Sequence, residues 1–185
     1  MLQNDRYIGG GKIFFTPLVN GVQGTQFEIG EVQEGTLSFN VTTADAFSKD
    51  NVMKTLVAKV ATSIDATLKF STQIRNSKNT AMAMLGAEST ETFAIGDTLP
   101  DGTTAAAEVV IPVIKAGTNP IIEGQVKFVG DEDGDKKPVL VVYNAVLTPT
   151  SDIAYISDDF SQLSFEGAVL KTANGYADEY TMEIA

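Results

Sequence analysis

The sequence predicts a mainly β protein: a β-sandwich or barrel of antiparallel strands with one short α-helix. Three observations indicate this fold class. Apolar and polar residues alternate over many short segments, turn-forming residues separate those segments, and only one segment, about residues 77–86, has helical spacing. The chain has 185 residues, which suits a single domain (1–185), and 43% of them are hydrophobic, which is enough for a core.

Alternation identifies the strands. It is strictest in Leu37–Thr42 and Ile64–Ser71, where every second residue is apolar, as in strands with one buried and one solvated face. The other predicted strands are Lys12–Val19, Gln26–Ile29, Val52–Ala61, Thr90–Ile95, Val109–Ile114, Ile121–Val129, Val139–Leu147, Gln162–Leu170 and Glu179–Ile184. Turns are predicted at Asn20-Gly21, Asp101-Gly102, Gly117–Pro120, Asp133–Asp135 and Asn174-Gly175.

Two strands have a predicted place in a sheet. The segment Val139–Tyr143 is apolar on both faces, which favours a central strand or a face covered by another subunit. Pro112 interrupts the segment Val109–Ile114. Because proline has no backbone N–H to donate, we expect an edge strand or a bulge there.

The one predicted helix begins at Ser77, a residue type that caps helix N-termini. Ala81, Met84 and Leu85 follow at spacings of three and four residues, and Gly86 stands where the helix should end. We expect this short helix to pack against the sheet.

Missing residue types exclude several functions. The chain contains neither Cys nor His, so disulfides, Cys/His zinc sites and Ser-His-Asp triads are impossible. It has 24 acidic and 13 basic residues and a net charge of −11, which argues against a protein that binds nucleic acid through its phosphates. No apolar run is long enough to span a bilayer, and residues 1–6 do not resemble a signal peptide. We expect no enzyme activity, no cofactor, no bound metal and no membrane association.

One acidic segment leaves metal binding open. Asp131, Asp133 and Asp135 offer carboxylate ligands for Ca²⁺. Their spacing departs from the EF-hand loop, however, because Gly134 stands at position 4 and Val142 at position 12. An Asp-Gly turn between two strands is the favoured interpretation.

A second acidic segment allows an enzyme hypothesis. Asp152 with Asp158 or Asp159 has the residue types of a glycoside hydrolase pair, which places two carboxyl groups across a cleft. The sequence does not give their separation, and surface carboxylates are common in loops. This hypothesis ranks third.

The order of the segments carries a family resemblance. An N-terminal strand, an alternating strand, a long hairpin, a second alternating strand, a short helix and two closing strands follow one another. These segments include Lys12–Val19, Ile29–Val32, Leu37–Val41, Ile64–Ser71, the helix ending at Leu85-Gly86, Tyr143–Pro149 and Asp158–Leu170. In this order the chain resembles the major tail tube proteins of long-tailed bacteriophages, whose fold is related to the type VI secretion tube.

The resemblance implies a structural virion protein. Six copies would form a ring by pairing sheet edges, and the rings would stack into a tube whose lumen conducts DNA without binding it specifically. Carboxylates lining the lumen would repel the passing DNA. The implied partners are further copies of the chain and the tape-measure, chaperone and terminator proteins of the tail. The implied location is the virion tail, after assembly in the host cytoplasm.

On this interpretation, a long hairpin spanning residues 37–60 contacts an adjacent subunit through its polar tip. The predicted contact residues are Thr42, Thr43, Asp45, Phe47, Lys49 and Asp50. A solvated loop is the alternative for this tip, although loops of this length are often functional. An N-terminal arm, residues 1–11, is a second candidate contact, with a flexible terminus as its alternative.

A different function class stays open beside the tube. A monomeric β-sandwich binding module, used for capsid decoration or adhesion, is the main alternative. It predicts a short, ordered hairpin at residues 42–52 and no tendency to stack.

Overall fold

The computed structural model describes residues 9–49, 53–132 and 136–183. This part of the chain forms ten strands and one helix, which confirms the mainly β class. In chain order they are β1 Gly11–Val19, β2 Val22–Gln23, β3 Phe27–Ser48, β4 Thr55–Thr72, α1 Ser77–Ala83, β5 Ala87–Phe93, β6 Val109–Lys115, β7 Ile122–Gly130, β8 Lys136–Pro149, β9 Leu163–Val169 and β10 Ala177–Glu183.

The larger sheet closes on itself. Its strands are ordered β10-β8-β7-β1-β3-β4-β9, and β9 also pairs with β8. The strands β1, β3, β4, β9, β8 and β7 therefore form a closed ring in which every neighbouring pair is antiparallel. β9 and β10 both pair antiparallel with β8. β9 pairs with residues 145–149 of β8, and β10 pairs with residues 136–142. The predicted barrel is this six-stranded ring.

The core lies inside the ring because each strand turns every second side chain inward. The fully buried side chains include Phe15, Ile29, Val142, Leu163 and Phe165. Aromatic rings pack across neighbouring strands, with the centroids of Phe70 and Phe165 5.3 Å apart. This core agrees with the apolar positions of the alternating segments.

A glycine allows two strands to approach closely within the ring. A Cβ atom on Gly124 of β7 would lie 2.5 Å from the carbonyl oxygen of Thr16 and 2.5 Å from the ring of Phe15. No side chain fits in that space without displacing the backbone of β1.

The helix is shorter than predicted, and its N-cap residue lies one position earlier than predicted. Asn76, not Ser77, is the N-cap, and its side chain accepts a 2.7 Å hydrogen bond from the N–H of Asn79. The helix ends at Ala83 rather than at Gly86. The chain reverses at Leu85, whose φ is 48°, and the N–H of Gly86 donates to the oxygen of Ala81, as in a Schellman motif.

The predicted positions of two strands within their sheets are confirmed. Val139–Tyr143 lies in β8, between β7 on one side and β10 on the other, as expected for a central strand. Pro112 lies in β6, which within the described ranges pairs with β5 alone, in a separate two-stranded sheet. β6 is therefore an edge strand, and the missing N–H of proline disrupts no second ladder.

The first predicted turn has the expected geometry. Asn20 and Gly21 have φ angles of 52° and 77°, and Val19 pairs with Val22 across them. Both central residues are left-handed, as a type I′ hairpin turn requires. The predicted turn at residues 133–135 lies outside the described residues.

The largest departure from the sequence prediction is the length of β3 and β4. Four separate strands with a loop over residues 43–51 were expected, but β3 has 22 residues and β4 has 18. Cross-strand pairing continues to Ser48 and Thr55, so backbone hydrogen bonds form where the polar composition indicated a loop. The predicted arm is also shorter, since Gly11 already belongs to β1, and residues 1–8 lie outside the described part.

Candidate functional site

The hairpin of β3 and β4 extends beyond the barrel as a two-stranded ribbon. On its other side, β3 pairs with β1 only over Phe27–Glu31, and β4 pairs with β9 only over Ala66–Thr72. Residues 40–48 and 55–65, which we call the ribbon, pair with each other and with no third strand among the described residues. Ten residues of extended chain measure about 30 Å, so the ribbon projects well away from the core.

One face of the ribbon continues the core face of the barrel. Residues directly opposite in the ladder share a face, and Leu37 with Leu68 forms the last such apolar pair inside the barrel. The next pairs on this face are Phe39 with Ala66 and Val41 with Ile64, then Thr43 with Ala61 and the charged pair of Asp45 with Lys59, and near the tip Phe47 with Leu56. Phe47 and Phe39 are each 54% exposed, although they continue a row of core side chains. This face, which we call the apolar face of the ribbon, therefore presents exposed apolar side chains near the barrel and again near the tip, and within the described ranges no third strand pairs with the ribbon.

The other face of the ribbon is polar near the barrel, where it carries Asn40 and Thr42, and the hydroxyl of Thr62 donates a 3.1 Å hydrogen bond to the carbonyl oxygen of Thr42. Farther out it carries Ala44 opposite Val60 and Ala46 opposite Ala58. Both faces of the ribbon therefore carry exposed apolar side chains, and Val60 is 61% exposed.

Two irregularities lie on β4 within the ribbon. The partner of β3 jumps from Ser63 to Ala61 and again from Ala58 to Leu56, so Thr62 and Val57 have no residue directly opposite. Such bulges increase the local twist of a strand pair.

The base of the ribbon is fixed to the barrel by Tyr176. Its hydroxyl donates a 2.6 Å hydrogen bond to the carbonyl oxygen of Ile64, and its ring packs edge-on against Phe39 with 6.0 Å between centroids. The ribbon therefore has a defined direction where it leaves the barrel.

The six predicted contact residues do not all lie on one face of the ribbon. Thr43, Asp45 and Phe47 lie on the apolar face, and Thr42 lies on the opposite face. Asp45 faces Lys59 across the ladder, with 3.8 Å between their charged atoms. An exposed pair of this kind contributes little stability.

The last two predicted contact residues follow the end of β3. Lys49 is exposed, and Asp50 lies outside the described residues. The sequence prediction described this segment as a polar tip, whereas the structure shows a strand pair with exposed apolar side chains, among them Phe47 and Leu56. Phe39, Val41, Leu56 and Ile64 were not among the predicted contacts, although the alternation of Leu37–Thr42 and Ile64–Ser71 already contained three of them.

A second exposed apolar surface was missed by the sequence prediction. Residues 150–162, which we call the acidic loop, connect β8 to β9. Ile156 is 98% exposed, Phe160 is 87% exposed and Tyr155 is 70% exposed. Three carboxylates, those of Asp152, Asp158 and Asp159, are also exposed there. The sequence signal was the run Tyr155-Ile156, which is apolar but too short to show any periodicity.

The proposed carboxylate pair falls in this same loop. Asp152, Asp158 and Asp159 are all exposed. Their exposure is that of ordinary surface carboxylates.

A tyrosine and aspartate cluster lies on the outer wall of the barrel. The hydroxyl of Tyr143 donates a hydrogen bond to the carboxylate of Asp178, which also accepts a 3.1 Å hydrogen bond from Tyr180. The bond to Asp178, followed by desolvation, raises the pKa of Tyr143 to about 12. The cluster joins β8 to β10.

The described residues contain no group of three or more His, Cys, Asp or Glu side chains placed to hold a metal ion. The acidic segment around Asp131 lies partly outside the described part, at residues 133–135. No helix in the described ranges is long and apolar enough to span a membrane.

Comparison with known proteins adds no identification. No protein family matches the chain, and no curated protein is significantly similar to it in sequence.

Proposed function

We propose that this chain is a structural protein that assembles with copies of itself, and that its ribbon contacts a neighbouring copy. The observation that carries this proposal is the unpartnered apolar face of the ribbon. Phe47 and Leu56 form a cross-strand pair and are each about half exposed, which in a monomer leaves apolar surface in water without any compensating contact.

Unpaired strand edges support the same proposal. The outer edges of the ribbon strands and of β10 carry backbone N–H and C=O groups with no partner strand in the described part of the chain. Natural proteins protect such edges from pairing unless the edge belongs to an interface, because an exposed edge is a template for pairing with another chain. Here the edges are long, and the ribbon adds an apolar face beside them.

More particularly, we propose that the chain is a subunit of a bacteriophage tail tube. The barrel with a long hairpin and one short helix agrees with the fold that the resemblance implies. Six copies form a ring, and stacked rings form a tube that conducts DNA. The net charge of −11 suits a lumen that DNA slides past, because a negative wall repels phosphates. The tape-measure, chaperone and terminator proteins of a tail would be its other partners.

Electron microscopy of the purified chain tests this proposal. We expect rings with sixfold symmetry, or tubes built from them, at high protein concentration or in the presence of a preformed tail initiator. Monomers under all such conditions would contradict the proposal.

A matched pair of variants makes the test specific to the apolar face. Replacing Phe47 and Leu56 by Ser should abolish rings and tubes, because it removes a cross-strand apolar pair. Replacing Ala44 and Ala58 by Ser makes the same number of changes on the opposite face of the ribbon and should leave assembly intact.

The main alternative is a monomeric β-sandwich binding module for capsid decoration or adhesion. That function predicts a short hairpin at residues 42–52, whereas the hairpin is formed by strands of 22 and 18 residues. The strand lengths therefore favour assembly over the module.

A further inference from the structure

A polar cleft lies on the outer wall of the barrel, where β3, β4 and β9 run side by side. Three of its side chains form a row across these strands, because Glu34 pairs with Ser71 and Ser71 pairs with Ser164. Ser71 and Ser164 are next to the core residues Phe70 and Phe165, so alternation turns them outward. Residues that are directly opposite have Cβ atoms about 5 Å apart, so the row is continuous.

The cleft has room for a small organic group. Its volume is about 180 Å³, whereas one water molecule occupies about 30 Å³ of the liquid. Thr150 and Gln162, the first and last residues of the acidic loop, line it beside β9.

Hydrogen bonds hold this side of the cleft in place. The N–H of Thr150 donates a 2.8 Å hydrogen bond to the carbonyl oxygen of Ser164. The hydroxyl of Ser151 donates a 3.2 Å hydrogen bond to the carbonyl oxygen of Gln162 and accepts one of 2.9 Å from the N–H of Ser164. A site that is fixed before binding loses little conformational entropy when a ligand enters it.

One hydroxyl group of the cleft has no hydrogen-bond partner. Ser71 is 6% exposed, and its Oγ atom forms no hydrogen bond with any of the described residues. Buried hydroxyl groups are normally paired, because leaving one unpaired lowers the stability of the fold. A ligand in the cleft would supply the partner that the chain itself does not provide.

The charges of the cleft favour a cation. The ammonium group of Lys69 lies 3.0 Å from the carboxylate of Glu166, so these two charges offset each other. Glu34 is exposed and forms no ion pair with the described residues. Two carboxylates and one ammonium group leave a net charge of −1 in the cleft. Because the whole chain carries −11, phosphates and other anions are repelled.

From the free carboxylate, the unpaired hydroxyl and the negative charge, we infer that the cleft binds a guanidinium cation, such as the side chain of arginine. A guanidinium group presents its N–H donors in a planar fork, which matches the two oxygens of the Glu34 carboxylate. A further N–H donates to the hydroxyl oxygen of Ser71, the next residue in the row.

A metal ion fits the cleft less well. Within the described ranges no third carboxylate joins Glu34 and Glu166, and hard cations such as Ca²⁺ take six to eight oxygen ligands. All residues of the cleft belong to one copy of the chain, so the inference stands apart from the proposed self-assembly.

Titration of the ¹⁵N-labelled chain, followed by its backbone amide signals, tests the inference. Agmatine is the probe for a free guanidinium compound, and a capped Gly-Arg-Gly peptide is the probe for an arginine side chain within a polypeptide. We expect saturable shifts of the signals of Glu34, Ser71 and Ser164. The same peptide with citrulline in place of arginine has no charge and should bind about tenfold more weakly.

Two variants with opposite expected effects separate binding from folding. Glu34→Gln should weaken guanidinium binding about tenfold, because it removes the charged acceptor. Lys69→Gln should strengthen binding about threefold, because it frees Glu166 and removes a like charge. Damage to the fold does not produce tighter binding. Glu88→Gln and Lys171→Gln make the same changes at exposed residues outside the cleft and should leave the affinity unchanged.

Ser71→Ala tests the unpaired hydroxyl. It should weaken binding about threefold without lowering the thermal unfolding midpoint, since the hydroxyl that it removes has no partner in the free chain. Absence of saturable shifts at the cleft with both guanidinium probes would overturn the inference, as would equal affinities of the wild type and Glu34→Gln. Saturation by methyl glucoside but by neither guanidinium probe would also overturn it, because the cleft would then be a site for a neutral polyol.

Discussion

The two halves of the hairpin formed by β3 and β4 have the same alternation but different surroundings. Inside the barrel, Leu68 and Phe70 are 4% and 2% exposed, because β9 pairs beside them and the opposite wall of the ring covers them. In the ribbon, Phe47 and Leu56 occupy the same face and are about half exposed. Alternation determines which face of a strand is apolar. Whether that face is covered depends on the other strands, and here those strands end before the ribbon does.

The comparison gives the two halves separate roles. The barrel half supplies the stability of the molecule, because its apolar face is removed from water on folding. The ribbon half contributes little to folding in a monomer, since its apolar face remains in contact with water. In the proposed assembly, another copy would cover these apolar residues.

The largest expected difference between the halves concerns phenylalanine truncation. Phe165→Ala in the core should lower the free energy of unfolding by about 3–5 kcal/mol, because it leaves a cavity among buried side chains. Phe47→Ala in the ribbon should change it by about 0.5 kcal/mol or less in the monomer. Urea unfolding at a concentration where the chain is monomeric measures both. Similar losses in the two variants would show that the ribbon is part of the folding core.

Glycine substitution tests how tightly the barrel half is packed. Gly124→Ala should destabilise the fold by about 1–3 kcal/mol, since the new Cβ would meet the backbone of β1. Gly35→Ala is the control, because its Cβ would have only the side chain of Ile13 near it, at 3.7 Å, and β3 should tolerate it. Thermal unfolding of the two variants gives the difference. A tolerated Gly124→Ala would contradict the close approach of β7 and β1.

The junction between the halves is tested through Tyr176. Tyr176→Phe removes the hydrogen bond to Ile64 and keeps the ring contact with Phe39, with an expected cost of about 0.5–1.5 kcal/mol. Hydrogen exchange should become faster for the ribbon amides near residue 64 and stay unchanged in the barrel core. If exchange instead accelerates uniformly, the ribbon does not open as a separate unit.

The smallest expected effect concerns the outer wall of the barrel. The pKa of Tyr143 is raised to about 12 from an ordinary value of 10, mainly by the hydrogen bond to Asp178. A raised pKa means that this contribution to stability is complete below about pH 10 and is lost as the pH rises through about 12. Asp178→Asn should lower the pKa of Tyr143 towards 10, as measured by tyrosinate absorbance against a Tyr143→Phe reference.

Much of the barrel was predictable from local pattern. Alternation predicted most strand positions, the Asn20-Gly21 pair predicted a turn, and Pro112 predicted an edge strand. These predictions held because each effect acts within a few residues of the chain. The predicted end of the helix was wrong, because the chain reverses at Leu85, which has a left-handed conformation, and not at a glycine. Leucine carries no sequence signal for that geometry.

The candidate site was predictable only in part. The hairpin was located, but residues 43–48 were expected to form a loop because Thr, Asp and Ser are common in loops, and ladder pairing overrode that preference. The acidic loop was missed as a surface because exposure depends on what other elements cover. Ile156 and Phe160 are ordinary core residue types, and the sequence does not show that nothing in the described chain buries them.

The central claim is that the apolar face of the ribbon is covered by another copy of the chain. Sedimentation velocity across a wide range of protein concentration tests it most directly, comparing the wild type with the Phe47→Ser and Leu56→Ser double variant. We predict that the wild type forms species of six or more copies and that the variant stays monomeric with an unchanged urea midpoint. A wild type that stays monomeric at every concentration, or a variant that assembles equally well, would contradict the account.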